Sequence, residues 1–207
     1  ITDTITLATQ ASNAYIDLAA GNDKLTFGDF ANTATVANVE TITGGSDNDV
    51  ITLGSALAVK SSINLGAGND TLKLGDFANT GSVANIETLI GGSDVDNITY
   101  TAQASNVSVD LGESDDTLTL GHFANTITVA NAESVVGGAD DDTVTFTTGL
   151  LGNANIDLKA GTDKLVLAAA DNTATISNVE TIVGASGNDT ITIGTVLASG
   201  SSIDLGA

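Results

Sequence analysis

Apolar and polar residues alternate along this chain in short runs, and clusters of small polar residues separate the runs. Thr4-Ile5-Thr6 and Thr190-Ile191-Thr192-Ile193 are two such runs, and Gly, Asn, Asp and Ser fill the intervals between them. Alternation with a period of two is typical of β-strands, and the interval residues favour turns. No stretch keeps a helical period. The pattern therefore predicts an all-β chain of short strands joined by turns.

This pattern repeats every 46–47 residues. The segment Ile63–Leu74 recurs at Ile16–Phe27, Val109–Leu120 and Ile156–Leu167, and a fifth copy begins at Ile203. A fixed period of this length is typical of solenoids and other repeat arrays. We therefore interpret residues 1–207 as a single array with repeats starting near residues 16, 63, 109, 156 and 203. Because the sequence has no Met and begins and ends within a repeat, we expect it to be a segment of a longer chain.

Each repeat contains two turns that end in Asp. Turn A comprises residues 20–23, 67–70, 113–116 and 160–163, and turn B comprises residues 44–49, 91–96, 137–142 and 184–189. The gaps between their final Asp residues alternate between 20–21 and 26 residues. We interpret them as a parallel β-solenoid (a β-helix or β-roll) of about nine coils of roughly 20–26 residues, with two coils per repeat and both turns on one edge. The alternative is a coil of 47 residues with the two turns on separate edges.

Three sets of residues recur at matching offsets from these turns. An inward aliphatic ladder is predicted from Ile5, Leu25, Ile51, Leu72, Ile98, Leu118, Val144, Leu165 and Ile191. Phe30, Phe77 and Phe123, with Ala170 in the last repeat, predict a second inward row. Asn32, Asn79, Asn125 and Asn172 predict a corner where Asn takes the left-handed conformation and stacks through amide hydrogen bonds.

The composition limits the kinds of molecule that such a solenoid can bind. The 26 acidic residues outnumber the 5 basic ones and give a formal net charge of -21, so the surface repels nucleic acid and anionic membranes and suits cations. Hydrophobic residues still make up 42% of the chain, which favours an ordered fold. The absence of Cys excludes disulfides and thiolate metal sites, and no apolar run is long enough to predict membrane insertion.

Stacked acidic turns require a counter-charge. Two carboxylates about 4.8 Å apart repel by about 3.5 kcal/mol at an effective dielectric constant near 20. Only Lys24 and Lys164 lie next to the turn Asp residues in the sequence. A hard divalent cation would neutralise the column by binding Asp carboxylates and the carbonyls of Gly turns, and Ca²⁺ is the predicted cofactor. The other interpretation is that Gly, Asn and Asp are present only because they form turns well.

The turns also resemble a known family. Gly184–Thr192 resembles the glycine-rich nonapeptide of the RTX (hemolysin-type calcium-binding repeat) family, in a long-coil version as in bacterial surface-layer or adhesin-like proteins. Gly44–Thr52, Gly91–Thr99 and Gly137–Thr145 fit the same motif with Asp at its fourth place. The resemblance implies Ca²⁺ ligands at Asp49, Asp96, Asp142 and Asp189 in turn B and at Asp23, Asp70, Asp116 and Asp163 in turn A, with Asp47, Asp94 and Asp140 as additional carboxylates. The turns 113–116 and 160–163 depart furthest from the family motif.

Two minor features accompany the acidic turns. Glu40, Glu87, Glu133 and Glu180 recur once per repeat. We expect them to face solvent or to bond at a corner, with a second cation site as the alternative. The only histidine, His122, is interpreted as a surface substitution.

These observations predict a calcium-stabilised structural β-solenoid and not an enzyme. The resemblance implies a secreted or cell-surface bacterial protein, such as a surface-layer (S-layer), filament or adhesin-stalk segment, that folds on exposure to extracellular Ca²⁺ and meets other copies of itself end to end or side by side. The sequence has no Arg and one His, and known catalytic motifs are absent. Two alternatives remain: an ice- or glycan-binding module that uses a flat threonine face, and an accessory domain of a secreted hydrolase.

Overall fold

The chain folds into a parallel β-solenoid built from two sheets. The computed structural model describes residues 1–206, which form 22 strands and contain no helix that could cross a membrane. The first sheet comprises β1 (Thr4–Thr6), β3 (Lys24–Thr26), β5 (Thr41–Thr43), β7 (Ser61–Asn64), β9 (Thr80–Ala84), β11 (Asn97–Tyr100), β13 (Thr117–Leu120), β15 (Ser134–Val136), β17 (Ala154–Asp157), β19 (Thr173–Ser177) and β21 (Thr190–Ile193). The second sheet comprises β2 (Ala14–Asp17), β4 (Thr33–Ala37), β6 (Val50–Leu53), β8 (Thr71–Lys73), β10 (Thr88–Gly92), β12 (Ser105–Gly112), β14 (Thr126–Ala130), β16 (Thr143–Phe146), β18 (Lys164–Val166), β20 (Thr181–Ala185) and β22 (Ser202–Gly206).

Successive strands alternate between the sheets, so two strands make one turn of the solenoid. All strand pairs are parallel, and each sheet holds eleven strands, which corresponds to about ten turns. At edge one the chain passes from the second sheet to the first, as at residues 18–23, and at edge two it passes from the first sheet to the second, as at residues 44–49. The predicted fold class, an all-β parallel solenoid, is confirmed.

The division of each repeat into coils differs from the prediction. Paired strand positions on neighbouring coils are 17, 20 or 21 residues apart, not 20–26. Five strands fit into one repeat of 46–47 residues, so a repeat spans two and a half coils and not two. The longer gap, from the final Asp of a turn A to the final Asp of the next turn B, therefore contains one short coil and a further half-coil.

The half-coil distributes the acidic turns over both edges. Asp49 precedes β6 of the second sheet and therefore lies at edge two, whereas Asp96 precedes β11 of the first sheet and lies at edge one. A turn B and the turn A that follows it stack on one edge. A turn A and the turn B that follows it lie on opposite edges. The prediction of a single acidic edge was therefore wrong.

The core consists of aliphatic side chains from both sheets. The predicted ladder is inward-facing but divided: Leu25, Ile98 and Leu118 belong to the first sheet and Ile51, Leu72, Val144 and Leu165 to the second, and all seven are fully buried. Alternate residues of each strand point outward. The buried cluster runs from Ala11 to Ile182, and each coil relies on its neighbours for burial. In the end coils, Ile5 is 38% exposed and Ile191 is only partly buried.

Two corner predictions need correction. Phe30 and Phe123 are 40% and 41% exposed because they lie in edge turns, where each ring covers a glycine, Gly28 or Gly121. They are not core residues. Positive φ recurs once per repeat at a different set of Asn residues, namely Asn38, Asn85, Asn131 and Asn178. The predicted set, Asn32, Asn79, Asn125 and Asn172, is buried and acts through its amide groups.

Candidate metal centre

The final Asp of most turns is buried, although turns of this composition normally face solvent. Asp23, Asp49, Asp70, Asp96, Asp116, Asp142 and Asp163 are at most 1% exposed, whereas Asp189 near the last coil is partly exposed. The additional predicted carboxylates, Asp47, Asp94 and Asp140, are exposed on the outer side of turn B. A buried carboxylate is costly unless hydrogen bonds or a cation compensate its charge.

The buried carboxylates accept hydrogen bonds from backbone N–H groups of the preceding coil. At edge two the N–H of Asn32 donates to Asp49 Oδ1 at 2.9 Å, the N–H of Asp49 donates to Asp70 Oδ1 at 2.7 Å, and the N–H of Asp70 donates to Glu87 Oε2 at 2.7 Å. We call this series of Asn, Asp, Asp and Glu on four successive coils a capping ladder.

The same ladder recurs on both edges in alternation. Asn79, Asp96, Asp116 and Glu133 form it at edge one, and Asn125, Asp142, Asp163 and Glu180 form it at edge two. Partial ladders join Asp3, Asp23 and Glu40 at the beginning and Asn172 and Asp189 at the end. Each repeat therefore builds one ladder.

The ends of the ladder explain the recurring Asn and Glu residues. Asn125 Oδ1 accepts the N–H of Ala104, while Asn125 Nδ2 donates to Asp142 Oδ1 and to two backbone carbonyls. The Glu residues bond at a corner as expected, because each caps the N–H of a turn A Asp. The sequence does not reveal that Asn, Asp and Glu share one column, although the spacing of 17 residues from Asn to Asp and from Asp to Glu is the signal that would have found it.

Several ladder carboxylates keep one oxygen without a partner. The Oδ2 atoms of Asp23, Asp70, Asp96, Asp116 and Asp163 are buried and accept no hydrogen bond. Asp49 and Asp142 place Oδ2 near the N–H groups of Gly45 and Gly138, at 3.4 and 3.2 Å. Such orphaned carboxylate oxygens are the donor atoms that a bound cation would satisfy.

Glycines leave space beside the ladder carboxylates, on the Oδ1 side at Gly68 and Gly161 and on the Oδ2 side at Gly44. A Cβ on Gly68 would lie 2.9 Å from both the carbonyl oxygen of Asp47 and Asp70 Oδ1, and Gly161 holds the same relation to Asp140 and Asp163. In turn B, a Cβ on Gly44 would lie 2.7 Å from Asp49 Oδ2 and against the carbonyl of Leu65 on the next coil. Each glycine thus opens a space between a carboxylate and a carbonyl of the adjacent coil. This oxygen-only donor set fits Ca²⁺.

Turn 113–116 lacks this space. Ser114 stands where the other turn A segments have Gly, holds a φ of 91°, and donates its hydroxyl to the carbonyl of Ser93 at 2.9 Å. Turn 160–163, the other turn that departs from the family motif, keeps Gly161 and its space. Both turns depart from the family motif in sequence, but only in turn 113–116 is the glycine space filled by a side chain.

Burial raises the pKa of several ladder carboxyl groups in the absence of a cation. Burial raises the pKa of Asp70 to about 6, with the charges of Asp49 and Glu87 adding to the shift. Burial likewise raises the pKa of Asp163 to about 6 and that of Asp116 to about 7, again with neighbouring acidic residues contributing. The one ion pair in residues 1–206 joins Lys159 to Asp157, outside the ladders. No lysine therefore neutralises a ladder carboxylate in the described part of the chain.

A metal ion here would depend on backbone oxygens. Within residues 1–206, no three His, Cys, Asp or Glu side chains converge on a point that could hold a metal. The backbone carbonyls of Asp47 and Asp140 border the glycine spaces, and the side chains of both residues are exposed. These two residues therefore offer main-chain oxygens in addition to the predicted carboxylates.

Comparison with known families identifies these turns. The model of the RTX calcium-binding nonapeptide repeat matches four copies in residues 37–56, 61–80 and 177–192, which confirms the resemblance. The matched stretches contain the turn residues Asp49, Asp70 and Asp189. No curated protein and no solved structure matches the chain.

Proposed function

As a chain of RTX calcium-binding repeats folded into a parallel β-solenoid, this protein is, we propose, a calcium-stabilised structural segment of a secreted or cell-surface bacterial protein. The observation that carries the proposal is that the buried ladder carboxylates, several of which keep an orphaned Oδ2, border glycine spaces that open toward backbone carbonyls. RTX repeats bind Ca²⁺ and are typical of secreted bacterial proteins.

The calcium ligands are proposed residue by residue. Each stacked turn B and turn A forms one unit, and the units alternate between the edges. The side-chain ligands are Asp23, Asp49, Asp70, Asp96, Asp116, Asp142, Asp163 and Asp189, and Asp47, Asp94 and Asp140 contribute at the outer side of turn B. The unit of Asp96 and Asp116 is the weakest, because Ser114 occupies the space that a glycine leaves open elsewhere.

Calcium would act by making the ladders stable when charged. Without a cation, the buried carboxylates must either hold protons or repel one another, and both the repulsion and the unpaired oxygens oppose folding near neutral pH. Ca²⁺ bound only by the folded chain stabilises that state by mass action. The chain therefore remains unfolded at low cytosolic calcium and folds on reaching millimolar calcium outside the cell.

A structural role suits the rest of the molecule. A rod of about ten similar turns can serve as part of a surface layer, filament or adhesin stalk, in contact with other copies end to end or side by side. The outward threonine rows are short: in the first sheet Thr99 and Thr119 are followed by Val136 and Asp157 in the same row. This interruption favours a structural role over ice binding, which needs a regular array.

Calcium dependence can be tested by circular dichroism of the chelated protein. We expect a β-sheet spectrum after addition of millimolar Ca²⁺ and a disordered spectrum in EGTA at pH 7.5, with Mg²⁺ at the same concentration as the control cation. An unchanged β-sheet spectrum after chelation, together with no bound calcium by isothermal titration calorimetry, would show that the turns are only structural.

A further inference from the structure

The outward side of the second sheet is almost free of charge in its middle. In the seven strands β4, β6, β8, β10, β12, β14 and β16, Lys73 and Asp110 are the only charged residues. We call the outward side of these seven strands the central face. Threonine and serine are its commonest residues, and the acidic turns lie at the two edges of the rod. A face without repelling charges can pack against another sheet at a distance of about 10 Å.

The two charged residues are placed symmetrically about one strand. Lys73 of β8 pairs in register with Ile90 of β10, and Ile90 pairs with Asp110 of β12, so the three residues stack in one outward row. Strand β10 is also the middle strand of the central face. All three side chains are exposed, and Ile90 is 36% exposed. Within residues 1–206, Lys73 forms no ion pair.

A second copy of the chain that is turned end for end complements this row. A twofold axis along β10 keeps this strand opposite its own copy and sets β8 opposite β12 of the second copy. Lys73 then faces Asp110 of the second copy, and the symmetry repeats this contact on the other side of the axis. Ile90 packs on its own copy between the two ion pairs. No two like charges of the central face oppose each other in this arrangement.

The combination of residues in this row occurs once in the described part of the array. The rows at matching positions of the other repeats are Thr26, Thr43 and Asn64 and Thr119, Val136 and Asp157 on the first sheet, and Val166, Val183 and Asp204 on the second sheet. None of these rows contains a lysine, so none of them can form reciprocal ion pairs. The complementarity therefore belongs to the central face and not to the repeat pattern as such.

We propose that the central face binds a second copy of this chain in an antiparallel twofold dimer centred on Ile90. This inference rests on the proposed function, because it assigns a surface to the side-by-side contact of calcium-loaded rods. Asp110 Oδ1 already accepts a hydrogen bond from Asn131 Nδ2 at 2.7 Å, which leaves Oδ2 for Lys73 of the second copy.

The size of the central face sets the strength of the dimer. Seven strands spaced about 4.8 Å apart, each with about four residues of about 3.3 Å, cover about 450 Å² per copy. A standard interface buries about 800 Å² per partner, so this dimer is weak and reversible. The reciprocal ion pairs fix the orientation of the two rods, because a shift of one strand along the axis separates both pairs.

Analytical ultracentrifugation of the calcium-saturated protein tests the dimer. We expect a reversible equilibrium between monomer and dimer at about 0.1–1 mM protein. Lys73→Glu sets like charges opposite each other at both contacts and should weaken association about tenfold. Asp110→Asn removes the charge and keeps the bond to Asn131, as Asn64 does with Asn85, and should weaken association several-fold. Lys73→Glu combined with Asp110→Lys exchanges the two charges and should restore association.

Matched variants on the first sheet provide the controls. Lys24→Glu makes the same change of charge on the opposite side of the rod and should leave the dimer intact. Because the chain has no Cys, a single introduced cysteine reports on the axis directly. Thr88→Cys on β10 places two thiols across the axis and should crosslink with a short bismaleimide. Thr41→Cys, at the matching position one repeat earlier on the first sheet, should remain uncrosslinked.

Four outcomes would each overturn the proposal: a protein that stays monomeric at about 1 mM, equal weakening by Lys24→Glu, no recovery in a folded charge-exchanged variant, or equal crosslinking at the two cysteine positions. If the charge-exchanged variant does not fold, the two cysteine variants decide. Circular dichroism of the same samples separates this proposal from the proposed function. A calcium-dependent fold that stays monomeric counts only against the dimer, whereas a β-sheet spectrum that survives chelation counts only against calcium-dependent folding.

Discussion

At the residue scale, the fold depends on polar side chains that cap the backbone of the neighbouring coil. Each ladder member accepts a hydrogen bond from an N–H that would otherwise be buried without a partner. A substitution at one position therefore leaves a buried N–H of the preceding coil unpaired, and the cost is the desolvation free energy of that group. The Asn at the start of each ladder carries the largest number of these bonds, and the Asp residues combine capping with their proposed role as calcium ligands.

Asn125→Ala tests the capping role. The substitution leaves the buried N–H group of Ala104 without its Asn125 partner and removes one of the two hydrogen bonds that Asp142 Oδ1 accepts from Asn125, and we expect a loss of about 2–4 kcal/mol in the free energy of unfolding. Urea unfolding in saturating Ca²⁺ measures it. Asn22→Ala, at an exposed turn position, is the control and should change stability by less than about 0.5 kcal/mol. Equal effects of the two substitutions would contradict the capping role.

Ser114→Gly tests whether this residue blocks a calcium site. Glycine tolerates the positive φ at this position and reopens the space beside Asp116, so we expect tighter calcium binding and a higher Tm in Ca²⁺. Calcium titration of wild type and variant measures the difference. An unchanged calcium stoichiometry and affinity would show that the serine does not limit this unit.

The raised carboxyl pKa values predict an unusual pH dependence for the calcium-free protein. Asp70 and Asp163 have a pKa of about 6 and Asp116 one of about 7 in the folded state, against an ordinary value of 3.8. The folded chain therefore binds more protons than the unfolded chain between pH 4 and 7, and stability is lost as the pH rises through this window.

The folded fraction of the calcium-free protein, followed by circular dichroism between pH 5 and 8, measures this slope. Asp116→Asn should flatten its upper part, because it removes the group with the highest of these pKa values. Saturating Ca²⁺ should reverse the trend, since calcium competes with protons for the same oxygens. A calcium-free protein that grows more stable from pH 5 to 8 would contradict the assigned pKa directions.

At the element scale, the strands were predictable and their allocation to sheets was not. Alternation around residues such as Ile51 and Leu72 marks a strand and its inward face, because both depend on neighbours in sequence. Nothing local distinguishes a strand of the first sheet from one of the second. Strands β9 and β10 lie in the longer gap between acidic turns, and no acidic turn separates them, so the spacing of the turns does not reveal the additional half-coil. The calcium turns were recognisable because their motif is local, whereas each ladder joins residues from several coils.

Removing one coil tests the ladder as the unit that sets register. Deletion of residues 50–70 removes β6 and β7, one strand from each sheet, and leaves Asn32, Asp49 and Glu87 on successive coils. We expect a folded protein that binds less calcium, because the pair of Asp49 and Asp70 is lost. Deletion of residues 50–60 removes only β6 and moves every later turn to the other edge, so Asp70 no longer stacks on Asp49 and the ladder is broken. This control should not fold, as judged by circular dichroism in Ca²⁺.

At the scale of the whole molecule, a repeat of two and a half coils should be removable as a unit. Deletion of residues 63–108 joins Ser62 to Val109 in matching phase and moves Thr162 from edge two to edge one. Spin labels on cysteines introduced at Asn22 and Thr162 should come closer together, both across the rod and by about 12 Å along it. Double electron–electron resonance measures this distance. A fold that is lost, or a distance that does not shorten, would contradict the half-integer repeat.

The half-coil also determines on which sides of the rod the repeated surface residues lie. Advancing by one repeat turns the structure by half a revolution about its long axis, so the array has approximate twofold screw symmetry. A surface patch that occurs once per repeat therefore lies alternately on opposite sides of the rod. Successive patches are about 12 Å apart along the axis. A lattice partner recognising such a patch could therefore attach from either flank, and a single repeat sequence suffices to build a two-sided strut.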